Sequence, residues 1–159
     1  MFSRDGFRGK PAAIMPSTAL SPRTPTLAFN DGIVNAALLD DDADLLEVLG
    51  ELLEERDCHC LLARSLDELK RLGPEVLKVD VAVLDINLGA GQPSGIDAYE
   101  WLVAQGFPGR RLFLTGHAHG HPLVARAERL QRATVLDKPL DGDVLLDKIT
   151  QSGRSAEAV

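Results

Sequence analysis

The sequence predicts a doubly wound α/β domain built on one five-stranded parallel sheet. Two observations carry this. Between Ile33 and Thr150, short apolar runs alternate five times with longer segments of helical period. That alternation points to a parallel sheet covered by helices on both faces. In addition, polar residues stand at or just beyond the ends of four of those runs: Asp40 and Asp41, then Asp85, Thr115 and Lys138. In such a sheet, ligands bind beyond the carboxyl ends of the strands.

The first run, "IVNAALL", reads as a strand with few polar interruptions. "ADLLEVLGELLEER" then sets Leu45, Leu49 and Leu52 at helical spacing, with Leu46 and Leu53 beside them. "CHCLLA" is a second strand, and "SLDELKRL" a helix opened by Ser65 as its cap. "VDVAVLDI" is the most strand-like run, because β-branched valine suits a pleated surface. In "GIDAYEWLVAQG", Ile96, Tyr99 and Val103 share a helical face and Gly106 stops it. "RRLFLT" is the fourth strand, followed by "HPLVARAERLQ", a helix with Leu123, Ala127 and Leu130 on one face. "ATVLD" is the fifth strand, and "PLDGDVLLDKIT" a last helix with Pro139 near its start.

These elements place one domain at residues 33–152, with a C-terminal tail at 153–159. Residues 1–32 differ from it. Pro11, Pro16, Pro22 and Pro25 lie among Ser, Thr, Gly and Arg without a sustained period. This is expected to be a flexible N-terminal extension, basic where the body is acidic. The formal net charge of -7 argues against nucleic acid as a partner. No apolar run approaches the roughly 18 residues of a membrane span, and no apolar stretch of the secretory kind follows the N-terminal basic residues. The two cysteines, Cys58 and Cys60, do not make a disulfide framework, so a reducing, cytoplasmic setting is expected.

Three consecutive aspartates, Asp40 to Asp42, require a reason at the mouth of a buried strand. Adjacent carboxylates repel, and a desolvated one is costly without a partner. A cation supplies the reason. Asp41 and Asp85, with the backbone carbonyl of Asn87, offer oxygens suited to a Mg²⁺ that keeps several waters. Asp40 is placed to hold one of those waters, and Asp42 is free to cap the first helix. Lys138 approaches the same rim. A unit charge about 4 Å from a carboxylate is worth roughly 4 kcal/mol at an effective dielectric near 20, so lysine and cation together offset the repulsion.

"LLDDD", "VLDINL", "LTG" and "LDKPL", in this order and spacing, resemble the receiver domains of two-component response regulators. The resemblance covers about residues 34–150 and implies a flavodoxin-like sheet with strand order 2-1-3-4-5. It implies that Asp85 accepts a phosphoryl group, that Asp40 and Asp41 are the acidic pair for Mg²⁺, and that Thr115 is the switch hydroxyl. Lys138 would contact the phosphoryl group, and the peptide to Pro139 would be cis. The donor would be a histidine kinase or a histidine phosphotransfer protein. The output would be a changed surface on the fourth helix, fifth strand and fifth helix, read by a protein not identified by the sequence. Such a chain is not an enzyme on other substrates and catalyses only its own phosphorylation and dephosphorylation. With no output region behind it, the chain resembles a stand-alone, single-domain type.

Three features depart from the family pattern. Gly89 stands where receivers usually carry proline, in a loop about two residues longer than usual before Gly95. Val135 occupies a position commonly Tyr or Phe. Residues 1–32 have no counterpart. Two rival functions share the scaffold: a Mg²⁺-dependent phosphohydrolase using an Asp nucleophile, and a protein-binding module that is never phosphorylated. Against the first, Asn87 stands where the haloacid-dehalogenase pattern places a second aspartate. Against the second, Asp40, Asp41, Asp85 and Lys138 together have no use without phosphotransfer. His117, His119 and His121 raise the idea of a transition-metal site, but in a strand-to-helix loop a polar segment is the expectation. His59 alternates with Cys58 and Cys60 along a strand, which sets it apart from both thiols.

Overall fold

The computed structural model describes residues 33–157 apart from His119, with side chains to Thr150. The expected N-terminal extension lies outside the described residues.

The strands are β1 (Val34–Leu39), β2 (Cys58–Ala63), β3 (Val81–Asp85), β4 (Arg110–Thr115) and β5 (Ala133–Asp137). They form one sheet in the order β2-β1-β3-β4-β5, and every adjacent pair is parallel. The helices are α1 (Ala43–Glu54), α2 (Leu66–Arg71), α3 (Gly95–Ala104), α4 (Pro122–Ala127) and α5 (Gly142–Glu157).

Side-chain alternation along each strand divides the core in two. Ala36, Leu38, Val81, Val83, Leu112 and Leu114 pack against leucines of α1 and against Leu145 and Ile149 of α5. Ala37, Leu39, Ala82, Leu84 and Phe113 pack on the other face with residues of α2, α3 and α4. Both faces being covered explains why β1 and β3 are almost wholly apolar, and why β4 is apolar from Leu112 to Leu114. It also leaves polar residues only at the strand ends. Asp85 ends β3 opposite Leu114, and Thr115 ends β4 opposite Asp137, so the register collects these ends on one rim.

Three stretches differ from the sequence expectation. The helix expected to run to Gln131 stops at Ala127. Arg129 N–H then donates to Arg126 O and Leu130 N–H to Ala127 O, tightening the chain into a turn. Arg132 has φ 56°, and the turn is tied down where Tyr99 donates its hydroxyl to Gln131 O at 3.0 Å. Residues Gly73–Lys78, unassigned from sequence, form a 3₁₀ helix that buries Val76. The last helix continues to Glu157, through residues the sequence placed in a tail.

Candidate functional site

The acidic site grows from the ends of β1 and β3. Asp40 is 3% exposed and Asp85 4%, whereas Asp41 and Asp42 face solvent. The three aspartates at 40–42 have separate tasks. Asp42 caps α1, its carboxylate accepting the Leu45 N–H at 3.1 Å. Asp40 accepts the Asp42 N–H on Oδ1 at 2.9 Å and receives Lys138 Nζ on Oδ2 at 2.8 Å. Asp41 keeps its carboxylate near the other two: oxygens of Asp40, Asp41 and Asp85 lie within 4.8 Å of one another.

Lys138 reaches this group from beyond β5. Its ammonium also stands 3.3 Å from Asp85 Oδ2, so one cation bridges two buried carboxylates. Its backbone N–H donates to Thr115 O at 2.7 Å, and the Lys138–Pro139 peptide is cis. Burial alone would lower the Lys138 pKa, but its hydrogen bond to Asp40 and the charges of Asp85 and Asp40 raise it above the usual value. Asp85 moves the other way for an acid. Burial, and then the neighbouring Asp40 charge, push it up to about 7, against the pull of Lys138 and a hydrogen bond from the Asn87 backbone. Three carboxylates facing one lysine leave an excess of negative charge on an all-oxygen donor set. That chemistry fits a hard divalent cation such as Mg²⁺. Asp40 has both oxygens engaged, so Asp41 and Asp85 are the better direct ligands.

The loop after β3 is shaped by glycine. Gly89 has φ 109° and Gly91 φ 75°. Proline, locked near -65°, does not fit the position of Gly89. Gly89 N–H donates to Asn87 Oδ1 at 3.1 Å, which folds the loop back beside Asp41. Gly95 then starts α3 hard against the strand end: a Cβ there would lie 2.3 Å from Asp85 O.

Thr115 is 1% exposed, and its Oγ1 accepts the His117 N–H at 2.9 Å. His117 Nε2 lies 3.2 Å from Asn87 Nδ2, and its ring stacks on His121 at 4.3 Å. His121 Nδ1 meanwhile accepts the Leu123 N–H at the start of α4. This chain of contacts links β3 to α4. It was not legible in the sequence, because Asn87 and His117 are 30 residues apart and neither carries a motif for the other. His119, the third histidine of the sequence-based metal idea, lies outside the described residues. The only cluster of three potential metal ligands among the described residues is Asp40, Asp41 and Asp85. Cys58 and Cys60 are free thiols. His59 pairs with Glu54 at 3.0 Å, while Cys60 Sγ points to Cys58 O at 3.6 Å.

The fold is shared with known proteins. The CheY-like response regulator receiver domain protein of Methanospirillum hungatei superposes with a TM-score of 0.67 at 19% identity, covering 80% of this chain and 98% of that one. A response regulator receiver domain protein of Clostridium thermocellum gives 0.65 at 23% identity, covering 79% and 98%. The signal receiver domain of a modulated diguanylate cyclase from Desulfovibrio desulfuricans gives 0.66 at 21% identity, with the same coverage. No curated protein sequence matches the chain. The family model for the response regulator receiver domain matches residues 36–150. With that match across most of its length, and with the strand order 2-1-3-4-5 of the receiver fold, the chain belongs to the response regulator receiver domains of two-component signalling.

Proposed function

We propose that this receiver accepts a phosphoryl group on Asp85 from a phosphohistidine, carried by a histidine kinase or a histidine phosphotransfer protein. The observation that carries the reading is Lys138 Nζ standing at 2.8 Å from Asp40 and 3.3 Å from Asp85, with Asp41 in the same cluster. Asp85 in its ionised form is the nucleophile, and one of its oxygens forms the new bond to phosphorus as the bond to the donor imidazole breaks. Lys138 pulls Asp85 toward its ionised form, against a buried setting that favours the acid, and it then faces the equatorial phosphoryl oxygens. Mg²⁺, held by Asp41 and Asp85 with Asp40 and the Asn87 carbonyl in support, would neutralise charge on the transferring group.

Output follows from Thr115. Its hydroxyl is held by the N–H of His117. A phosphoryl oxygen on Asp85 accepts the proton of that hydroxyl, and drawing the hydroxyl toward Asp85 releases His117. His117 is in turn tied to Asn87 and stacked on His121. The conformational change therefore enters the 116–121 loop and the start of α4 and alters the α4–β5–α5 surface offered to a protein partner. The chain acts on no substrate beyond its own aspartate.

Incubation with acetyl phosphate and Mg²⁺ tests this. Intact mass should rise by one phosphoryl group, and Asp85→Asn or EDTA should each abolish the gain. Equal labelling of Asp85→Asn would place the acceptor elsewhere. Sustained turnover of a small phosphate ester would favour the phosphohydrolase instead.

A further inference from the structure

Of the three clustered carboxylates, Asp41 alone lacks a partner among the described residues. Asp40 accepts the Asp42 N–H and Lys138 Nζ, and Asp85 stands against the same ammonium. Asp41 is exposed, and an exposed, unpaired carboxylate turns freely between rotamers. Carboxylates that ligate a metal are as a rule themselves held by hydrogen bonds. The rim therefore calls for a donor beside Asp41.

The loop between β3 and α3 brings one there. After Asn87 the stretch "LGAGQPSG" turns on two glycines of positive φ, Gly89 at 109° and Gly91 at 75°. Gln92 N–H donates to Gly89 O at 3.2 Å, which closes the turn and sets Gln92 back over Gly89. Pro93 follows, and a residue before proline is confined to extended backbone. A Cβ on Gly89 would lie 3.7 Å from Gln92 Cγ and 3.8 Å from Asp41 Oδ2. Gln92 and Asp41 thus flank one small space, and it is open because residue 89 is glycine. The amide of Gln92 extends beyond that Cγ and has no partner among the described residues. An amide carries two N–H donors and an ionised carboxylate only accepts, so the two unpaired groups are complementary. Asn87, the other amide of the loop, is already committed to the Gly89 N–H and to His117.

We propose that Gln92 is a positioning residue of this rim. Its side-chain N–H donates to the Asp41 carboxylate through the space beside Gly89 and holds that carboxylate toward Asp85. The role rests on the reading of the rim as a divalent-cation and phosphoryl site. Gln92 touches neither the phosphoryl group nor the acceptor. It acts through Asp41, by keeping an exposed ligand in its binding rotamer.

Mg²⁺ titration followed by NMR amide shifts tests the role. Gln92→Leu keeps the bulk and removes the amide, and it should weaken Mg²⁺ about ten-fold. The metal-free melting temperature and the Gly91 amide shift should stay at the parent values, as they would not if the substitution unfolded the loop. In the metal-free protein, Asp41→Asn should move the Gln92 side-chain NH₂ resonances, and Gln92→Leu should average the Asp41 χ1 couplings over rotamers. Added to Asp41→Asn, Gln92→Leu should cost no further Mg²⁺ affinity. Parent affinity in Gln92→Leu overturns the proposal. So does an equal loss in the Asp41→Asn background, which would give Gln92 a role independent of Asp41. Labelling of the unaltered chain by acetyl phosphate keeps two failures apart. No label at Asp85 overturns the phosphoacceptor reading, whereas a labelled chain whose Mg²⁺ affinity ignores Gln92→Leu overturns the positioning role alone.

Discussion

Asp85 sits in conflict with its surroundings, and the conflict is measurable. Burial and the Asp40 charge raise its pKa from 3.8 to about 7. Between those values the folded protein keeps a proton that the unfolded chain has lost. Stability therefore falls as pH rises through that window and levels off above it. Asparagine has no proton to lose. In the absence of metal, Asp85→Asn should match the parent near pH about 4 and exceed its melting temperature by several degrees near pH about 8. A constant difference across that range would mean that Asp85 is not held above its ordinary value. The backbone beside it is equally demanding. An alanine Cβ at position 95 would stand 2.3 Å from Asp85 O and 2.9 Å from its carbonyl carbon. These are main-chain atoms that cannot step aside alone. Gly95→Ala should cost about 1–3 kcal/mol in urea unfolding and slow labelling by acetyl phosphate, because the strain falls on the residue that reacts.

At the scale of elements, the question is how the site moves the surface. In many receivers an aromatic ring on the fifth strand follows the switch hydroxyl. Here that position is Val135, half-buried against the core on the α4 side. Valine has a short side chain with one stiff torsion, so it does not sweep between buried and exposed positions. The contacts that differ between states are those of Thr115, His117, Asn87 and His121, and only differing contacts shift an equilibrium. With Mg²⁺ and beryllofluoride as phosphoryl mimic, NMR shift changes should concentrate at residues 115–124 and fade in β5. Thr115→Ala should remove most of them, and Val135→Ala should leave them in place. The largest changes at residues 133–137, lost in Val135→Ala, would give the signal to valine.

For the whole molecule, the excess carboxylate charge is a store of instability that a dication relieves. A ligand that binds only the folded state stabilises it by about 2.7 kcal/mol at one hundred times its dissociation constant. Mg²⁺ should therefore raise the melting temperature by several degrees in a domain of this size, and Asp41→Ala should remove most of the gain. An equal rise in Asp41→Ala would place the ion elsewhere. Nothing in the described residues competes with this rim as a ligand cluster. Among the described residues, no helix is long and apolar enough to cross a membrane.

How much of this was legible in the sequence differs by the range of the forces involved. Period and apolarity are local, so Val81 to Leu84 announce a buried strand and Asp85 announces its end. Ser65 and Asp42 announce helix starts for the same reason, because a cap acts over three residues: each accepts an N–H three positions on. The sheet order then brings Asp40, Asp85, Thr115 and Lys138 to one rim. The early stop of α4 was not legible. Leu130 keeps helical spacing, yet the turn is fixed by Tyr99, a residue 32 positions from Gln131. Nor could sequence show that Asp40 rather than Asp41 receives Lys138, across 98 residues, or that His117 joins Asn87. The sequence by itself determined which side chains reach the rim, since strand period and apolar pattern act between neighbours. The tertiary structure alone decided which oxygen faces which amine and how far each pKa moves, since those depend on burial and on charges brought together only by the packed sheet.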